Sequence, residues 1–599
     1  MKRFAFLLLL LLPFCTMAQR NNDSQLAYTY YQNKEYEKAA QLFMQLYERT
    51  KSSNYLDYHI ICLINGKMYD QAEEVLKKFL KTDGKNKDFL VNLGFIYEQQ
   101  GKPKKSEEYY EKAVKNLIPQ SSDINSLAYK FRNIREYGWA VRTYLRGQEL
   151  LNKPTAFLRE LGDNYLMERD YEKMMDLFIR HLEAQPGDLN TITSQLNFAR
   201  SYDIINSVDT VIERKLGAVV RQTDHHPVFD ELSIWYNLQV RRYDKALEDA
   251  AELNRKAKGK LGSYIQIARS ASTDGKYDLA VLAYNRVLEQ GKDSNDFYLT
   301  ARKEILSNEN TRFREQQAPQ ESFRKLAQQC KEYMQEYLYT PDNLEVAILL
   351  SDLYAYQLQQ PDSADAVLQK SIQMRRLNLN RQSLLKFKRA DLLAFMDNPW
   401  EATILYTQIE KSNPNNDIGY EAKLKKAWLA YYTGDLLWAK AQFDVLKGAT
   451  SKLISNDAIQ MAHFIRMNYT EEEGNHDLER LARAEYLMVK QENDRALGTL
   501  DSLANSEQPG IIDRAALQKA KLLHGLKRTE EAARILEQLK GQSEQTYIRA
   551  EAIMQLAVLK TEQQDTAGAR ELYKLLVSEY SGSVYSVEAG RLYRELEKK

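Results

Sequence analysis

The sequence predicts an all-α fold in which helical hairpins stack into a solenoid, laid out as two consecutive arrays. Three observations predict it. A small residue recurs at steps of 33–34 positions through the first half of the chain and at steps of 36–37 in the second. Around each recurrence runs one template: a small residue, a ring three positions later, a turn, a second ring, then a small residue followed by another aromatic. The composition is that of an ordered, helix-rich chain, since 44% of the 599 residues are hydrophobic, 28% are charged and only 12 are proline. A chain this long is not expected to close around one hydrophobic core.

The first element is read as a targeting segment. Lys2 and Arg3 precede an apolar stretch from Phe4 to Phe14, too short to span a bilayer as a helix. Thr16, Met17 and Ala18 offer a small-x-Ala cleavage site, so residues 1–18 are expected to be removed as a signal peptide and Gln19 to begin the mature chain. Cys15 raises the question of lipidation, but Phe14 stands where such a signal needs a small side chain, and simple cleavage is preferred. The alternative is an uncleaved membrane anchor. No other window offers the roughly 18 consecutive apolar residues of a membrane-spanning helix, so no integral span is expected in the mature chain.

The first array is expected over 19–305. The template is plainest in Leu26-Ala27-Tyr28-Thr29-Tyr30-Tyr31 followed by Glu35 to Ala40 and Phe43. It returns in Leu93-Gly94-Phe95-Ile96-Tyr97 with Ser106, Tyr110 and Ala113, and in Leu161-Gly162-Asp163-Asn164-Tyr165 with Tyr171, Met174 and Phe178. The residue after the second ring falls at Ala39, Ala72, Ser106, Ala140 and Met174, in steps of 33, 34, 34 and 34, and again at Ala246 and Ala280. The interval of 72 between Met174 and Ala246 leaves room for one diverged repeat near Asn197 to Leu216, which makes eight repeats. Small side chains are needed where the two helices of a hairpin approach, and Gly94, Ala128, Gly162 and Ala268 take that part on the first helix. Rings such as Tyr97, Tyr110, Tyr165 and Tyr284 fill the space between hairpins. Gly66, Gly101 and Gly275 interrupt the apolar pattern and permit the reversal. One hairpin alone cannot bury its apolar stripe; stacking makes the core continuous.

The polar run 306–322, ending at Pro319 and its neighbours, is expected to be a linker or boundary, with the outer face of a long helix as the competing reading. A second array is expected over 323–599, with longer, diverged repeats. Its markers are read at Ala366, Ala402 and Ala439, then at Ala496, Ala532 and Ala569. The 57-residue gap from Ala439 to Ala496 contains Glu471-Glu472-Glu473-Gly474-Asn475, read as a solvated loop between helices.

On these residues the chain resembles a known family. The units at 26–46, 93–113, 161–186 and 264–287 are similar to tetratricopeptide repeats, and the second array is identified with them by period and register. The stretch from Ala569 to Ala589 is similar to repeats of bacterial envelope proteins that coordinate outer-membrane assembly or cell division. The leader, the Tyr and Asn content and Gln19 resemble exported repeat proteins of the Bacteroidetes group. The resemblance implies a tetratricopeptide-type superhelix whose first helices line a concave face that holds extended peptides or a partner's helix. It says little about the identity of the partner.

Chemistry-bearing motifs are scarce. There is no Cys-x-x-Cys pair, no His-Glu-x-x-His helix, no nucleophile elbow and no dinucleotide fingerprint. His225 and His226 are adjacent but on extended backbone would point apart, and Lys258-Gly259-Lys260-Leu261-Gly262 lacks the pattern of a phosphate cradle. Cys62 and Cys330 read as buried free thiols. No enzyme activity, cofactor or metal is therefore expected. The net charge of +1 supplies no field to gather nucleic acid, so none is expected as a partner. What remains is the surface of the first helices. Counting along them, the candidates for partner binding are Tyr28, Tyr31, Phe95, Glu98, Gln99, Tyr129, Arg132, Asn133, Arg159, Asp163 and Trp235. Aromatics beside arginines are the residue types that anchor interfaces, although each tyrosine could equally serve packing between repeats. The expected function is a scaffold for other envelope proteins or peptides, in the periplasm or peripheral to the outer membrane. The alternative is a glycan or peptidoglycan module with a groove lined by Tyr28, Tyr129 and Trp235.

Overall fold

A computed structural model describes residues 23–203, 207–293, 295–414, 416–448, 452–470, 474–543 and 546–597. The expected signal peptide, Gln19 and the acidic residues 471–473 lie outside them. Every regular element among the described residues is a helix, and none is long and apolar enough to cross a membrane. The chain divides into two compact units, Met1–Val287 and Leu288–Lys599.

The first unit is a succession of eight hairpins. Helix 23–32 pairs with Tyr36–Thr50, Ser53–Asn65 with Tyr69–Leu80, Lys87–Gln99 with Pro103–Lys115, and Ser121–Asn133 with Tyr137–Leu151. Leu158–Met167 then pairs with Tyr171–Ala184, Leu189–Tyr202 with Ser207–Val220, Pro227–Gln239 with Tyr243–Lys256, and Gly262–Thr273 with Tyr277–Leu288. The diverged repeat is the sixth.

One position explains the register. Ala39, Ala72, Ser106, Ala140, Met174, Ala246 and Ala280 are each the fourth residue of a second helix, and each is at most 4% exposed. The partner surface on the first helix is equally tight. A Cβ on Gly94 would lie 2.4 Å from the ring of Tyr110, and one on Gly162 would lie 2.4 Å from the ring of Phe178.

The turns share a second rule. The residue two positions before the second helix is left-handed at Lys34, Lys67, Gly101, Arg135, Arg169, Arg241 and Gly275. Lys67, and not Gly66 as expected, takes that conformation in the second hairpin, at φ 59°. The following amide closes the first helix: Glu35 N–H donates to Tyr30 C=O at 2.9 Å, Met68 to Leu63 at 2.8 Å and Lys102 to Tyr97 at 2.8 Å. This is the six-to-one bond of a Schellman cap.

The second unit follows the same rules with departures. Its hairpins are Tyr298–Glu315 with Gln320–Tyr337, Leu344–Asp352 with Pro361–Ile372, Leu379–Phe395 with Pro399–Ser412, and Asp417–Tyr432 with Leu436–Leu446. After these come His476–Val489 with Asn493–Ser502, Pro509–Gly525 with Thr529–Gln542, and Thr546–Glu562 with Thr566–Glu579, and Val584–Glu597 closes the stack. The polar run 306–322 comprises the end of one helix, a turn at 316–319 and the start of the next. Phe313 there meets Phe323 at 5.8 Å, so the run lies inside this unit.

The marker read at Ala366 is corrected to Ala364. Pro361, with its fixed φ, opens that helix, so the fourth residue is Ala364, fully buried, while Ala366 is exposed. The 57-residue gap is explained by one additional helix, Lys452–Asn468, which stands between two hairpins. A buried ion pair ties it in. Arg514 Nε lies 2.7 Å from Glu485 Oε1, and its guanidinium sits 4.9 Å from the Phe464 ring and 5.7 Å from Trp428. Cys62 and Cys330 are buried free thiols, pushed up by burial to about 11 and about 12 respectively.

Two substitutions probe these rules. Gly162→Ala gains about 1 kcal/mol of helix propensity but drives a methyl into Phe178, an overpacking cost of about 1–3 kcal/mol, so its thermal midpoint should fall. Lys527→Gly, at the same left-handed turn position of a later hairpin, removes about 1–2 kcal/mol of strain against about 0.5–1 kcal/mol of added backbone entropy. Its midpoint should rise slightly. Calorimetry of both variants checks the two signs together.

Candidate functional site

The candidate residues separate into two groups. Tyr28 and Tyr31, on helix 23–32, are half-buried. The Tyr28 ring meets Phe43 edge-on at 5.1 Å and Tyr58 at 5.0 Å, and Asn54 Nδ2 donates to its hydroxyl at 3.2 Å. Tyr31 meets Tyr58 at 5.5 Å and Tyr36 at 6.1 Å. Trp235 is half-buried against the core that runs through the fifth, sixth and seventh hairpins. All three side chains serve packing between repeats, so the structure does not gather the expected groove of Tyr28, Tyr129 and Trp235.

The second group occupies equivalent sites on three successive first helices. Phe95, Tyr129 and Asp163 stand 34 positions apart, on Lys87–Gln99, Ser121–Asn133 and Leu158–Met167. Phe95 is half-buried, and Glu98, Gln99 and Asn133 are exposed. The Tyr129 ring is 64% exposed, too open for a packing role. Salt bridges join neighbouring first helices here: Lys87 Nζ lies 2.8 Å from Asp123, and Lys130 Nζ lies 4.0 Å from Asp88.

The electrostatics centre on Asp163. Burial pushes its carboxyl up to about 6, while Arg132 and Arg159 pull in the opposite direction. The Arg159 guanidinium is bonded to Glu160 at 2.7 Å. The Asp163 Oδ1 atom is buried and accepts no hydrogen bond from the described residues. The arrangement thus combines an open ring, two guanidinium groups and a carboxylate oxygen lacking a donor.

One neighbouring residue was not anticipated. Glu136, in the turn before Tyr137–Leu151, is pushed up to about 7, first by burial and then by repulsion from Glu98. Tyr110 donates its hydroxyl to Glu98 Oε2 at 3.2 Å. A turn carboxylate carries no periodic signal, so only contact with the previous repeat reveals it. The adjacent histidines have separate structural tasks. His225 Nε2 lies 2.7 Å from buried Asp230, whose other oxygen is 3.1 Å from Lys256 Nζ, while His226 Nδ1 accepts from the Val228 amide at 3.1 Å.

The second unit holds a further feature that the sequence did not disclose, an open cavity of about 410 Å³ walled by Tyr356, Phe395, Tyr406, Trp428, Tyr432 and Tyr486.

Family models described as tetratricopeptide repeat match residues 15–129 and residues 551–583. The chain carries tetratricopeptide repeats at these residues. One match falls in each compact unit, and the hairpins between them keep a buried fourth residue on the second helix except the sixth, where Thr210 is exposed. No curated protein sequence matches the chain. Among solved structures, the Naa15/Naa10 assembly bound to HypK-THB is similar at 14% identity, covering 96% of this chain and 96% of that one at a TM-score of 0.28. A tetratricopeptide repeat protein from Parabacteroides merdae is similar at 10% identity, covering 50% of this chain and 98% of that one at a TM-score of 0.27.

The Glu136 environment makes a signed prediction. Its folded carboxyl holds a proton more tightly than an unfolded glutamate, so its contribution favours the folded state at acid pH and is lost as pH rises through about 7. Glu136→Gln removes that loss. The variant should unfold at a higher temperature than the parent at pH 8, and at the same temperature at pH 4. Equal midpoints at both pH values would show that Glu136 ionises without cost.

Proposed function

We propose that this protein is a periplasmic interaction scaffold of a bacterial envelope, held near the outer membrane through a partner. It binds an envelope protein or peptide along the first helices of its N-terminal unit. The observation that carries the reading is the cluster of Tyr129, Arg132, Arg159 and Asp163. A buried carboxylate oxygen without a donor costs about 1–3 kcal/mol, and a donor from a bound segment removes that cost. The exposed Tyr129 ring, at the equivalent position of the preceding first helix, supplies the apolar anchor, and the arginines supply orientation. Residues 2–18, basic then apolar then small, support export.

Affinity capture from crosslinked envelopes tests the binding face. Replacing Tyr129 and Arg132 together with Ala should weaken capture at least about tenfold, the loss of one interface hot spot, with the melting transition unchanged. Unchanged capture would remove the proposed face. Intact mass of protein from its native host tests export: the expected first residue is Gln19, and a retained Met1 or a diacylglyceryl mass on Cys15 would overturn it.

A further inference from the structure

The inserted helix Lys452–Asn468 has a local consequence. Beyond it, His476–Val489 packs back against Asp417–Tyr432, the first helix of the hairpin before the insertion. Polar contacts reach further still. The Tyr486 hydroxyl donates to Ala394 C=O at 2.8 Å, across 92 positions, and Lys490 Nζ lies 3.2 Å from Asp397. The 410 Å³ cavity opens among these helices.

Its walls are ordered. Trp428, Tyr432 and Tyr486 form one stack, with centroids 5.7 Å apart at each step and interplanar angles of 30° and 6°. Tyr356 meets Phe395 edge-on at 5.6 Å. Tyr356 belongs to a π-helical turn, Leu353–Gln357, at the end of Leu344–Asp352. Such turns insert a residue into an α-helix and are frequent at functional sites.

The chemistry of the lining selects an occupant. Tyr432 stacks with both Trp428 and Tyr486, which occupies its π surface with other rings. With Leu424, Leu429 and Val489 these rings make an interior that suits an apolar group. The volume lies at the lower end of the roughly 300–1,000 Å³ usual for pockets, room for a large side chain rather than a whole polymer segment. The rim is charged. Asp391 Oδ1 accepts from the Tyr406 hydroxyl at 2.5 Å and lies 3.1 Å from Lys425 Nζ. Glu421 is exposed and pairs with no cation among the described residues, which leaves the lining one negative charge in excess.

We propose that this cavity receives an apolar anchor side chain from a peptide segment of a partner protein, with an adjacent lysine or arginine reaching Glu421 at the rim. The proposal rests on the scaffold reading and adds a second docking point to it. Saturation-transfer NMR on the full chain tests it with two probes, Ac-Gly-Phe-Arg-Gly-amide and Ac-Gly-Phe-Glu-Gly-amide. The arginine peptide should show transfer to its phenyl ring and bind more tightly than the glutamate peptide. Glu421→Lys, at an exposed site, should reverse that order. Val489→Trp, at a position 41% exposed at the mouth, should abolish both signals. Absence of transfer from both peptides, or transfer that both variants leave unchanged, would refute the proposal. A β-1,4-linked N-acetylglucosamine tetramer that binds, is lost in Val489→Trp and outcompetes the peptides would make the cavity a glycan site instead. The N-terminal reading is judged separately by capture with the Tyr129 and Arg132 variant, so either can fail alone.

Discussion

Everything in this molecule depends on how closely two helices of a hairpin approach one another. At the fourth residue of most second helices the side chain is small and buried, and where Gly94 and Gly162 stand on the facing first helix a ring lies directly over them. That closeness sets the tilt of the hairpin, and the tilt decides which residues of the next hairpin can be reached. Rings then fill what the small residues leave open. Stability in such a stack is a sum over neighbours rather than the property of one core, which is how a chain of 599 residues with no disulfide among its described residues remains ordered.

The same constraint governs where binding groups can be placed. The first-helix position that carries Tyr28 and Trp235 is committed there to packing against neighbouring hairpins. At Tyr129 the same position stands open. Equivalent positions on successive repeats therefore present a ladder of chosen groups at regular spacing, here Phe95, Tyr129 and Asp163. The side chain can change from ring to carboxylate along the ladder without altering the stack beneath it.

Much of this was legible in the sequence because the packing rule is periodic. The hairpins of the first unit recur with the spacing of the marker residues, while the sixth shows in the sequence only as the 72-residue interval between Met174 and Ala246. The errors arose where another rule intervened. Pro361 starts its helix and moves the marker from Ala366 to Ala364, a choice between two alanines that spacing alone does not settle. The left-handed turn position falls on Lys67 beside a glycine, because the cap bond from Met68 fixes the place and not the residue type. Tyr28 and Tyr129 look alike in the template, yet one is enclosed by Phe43 and Tyr58 while the other stands open. The additional helix Lys452–Asn468 appeared only as an interval of the wrong length. The cavity had no local signature at all, since its walls come from residues as far apart as Tyr356 and Tyr486.

That last separation bears on how the chain comes to be folded. An ordinary solenoid can grow hairpin by hairpin, each new unit settling on the last. The bond from Tyr486 to Ala394 does not obey that order. It joins parts of the chain that are not neighbours in the array, and it forms only once the returning helix His476–Val489 is in place. The segment between them is thus converted from a row of separately opening units into a single cooperative block. During synthesis the aromatic chamber cannot close before Tyr486 has been made, after the helices that carry its other rings.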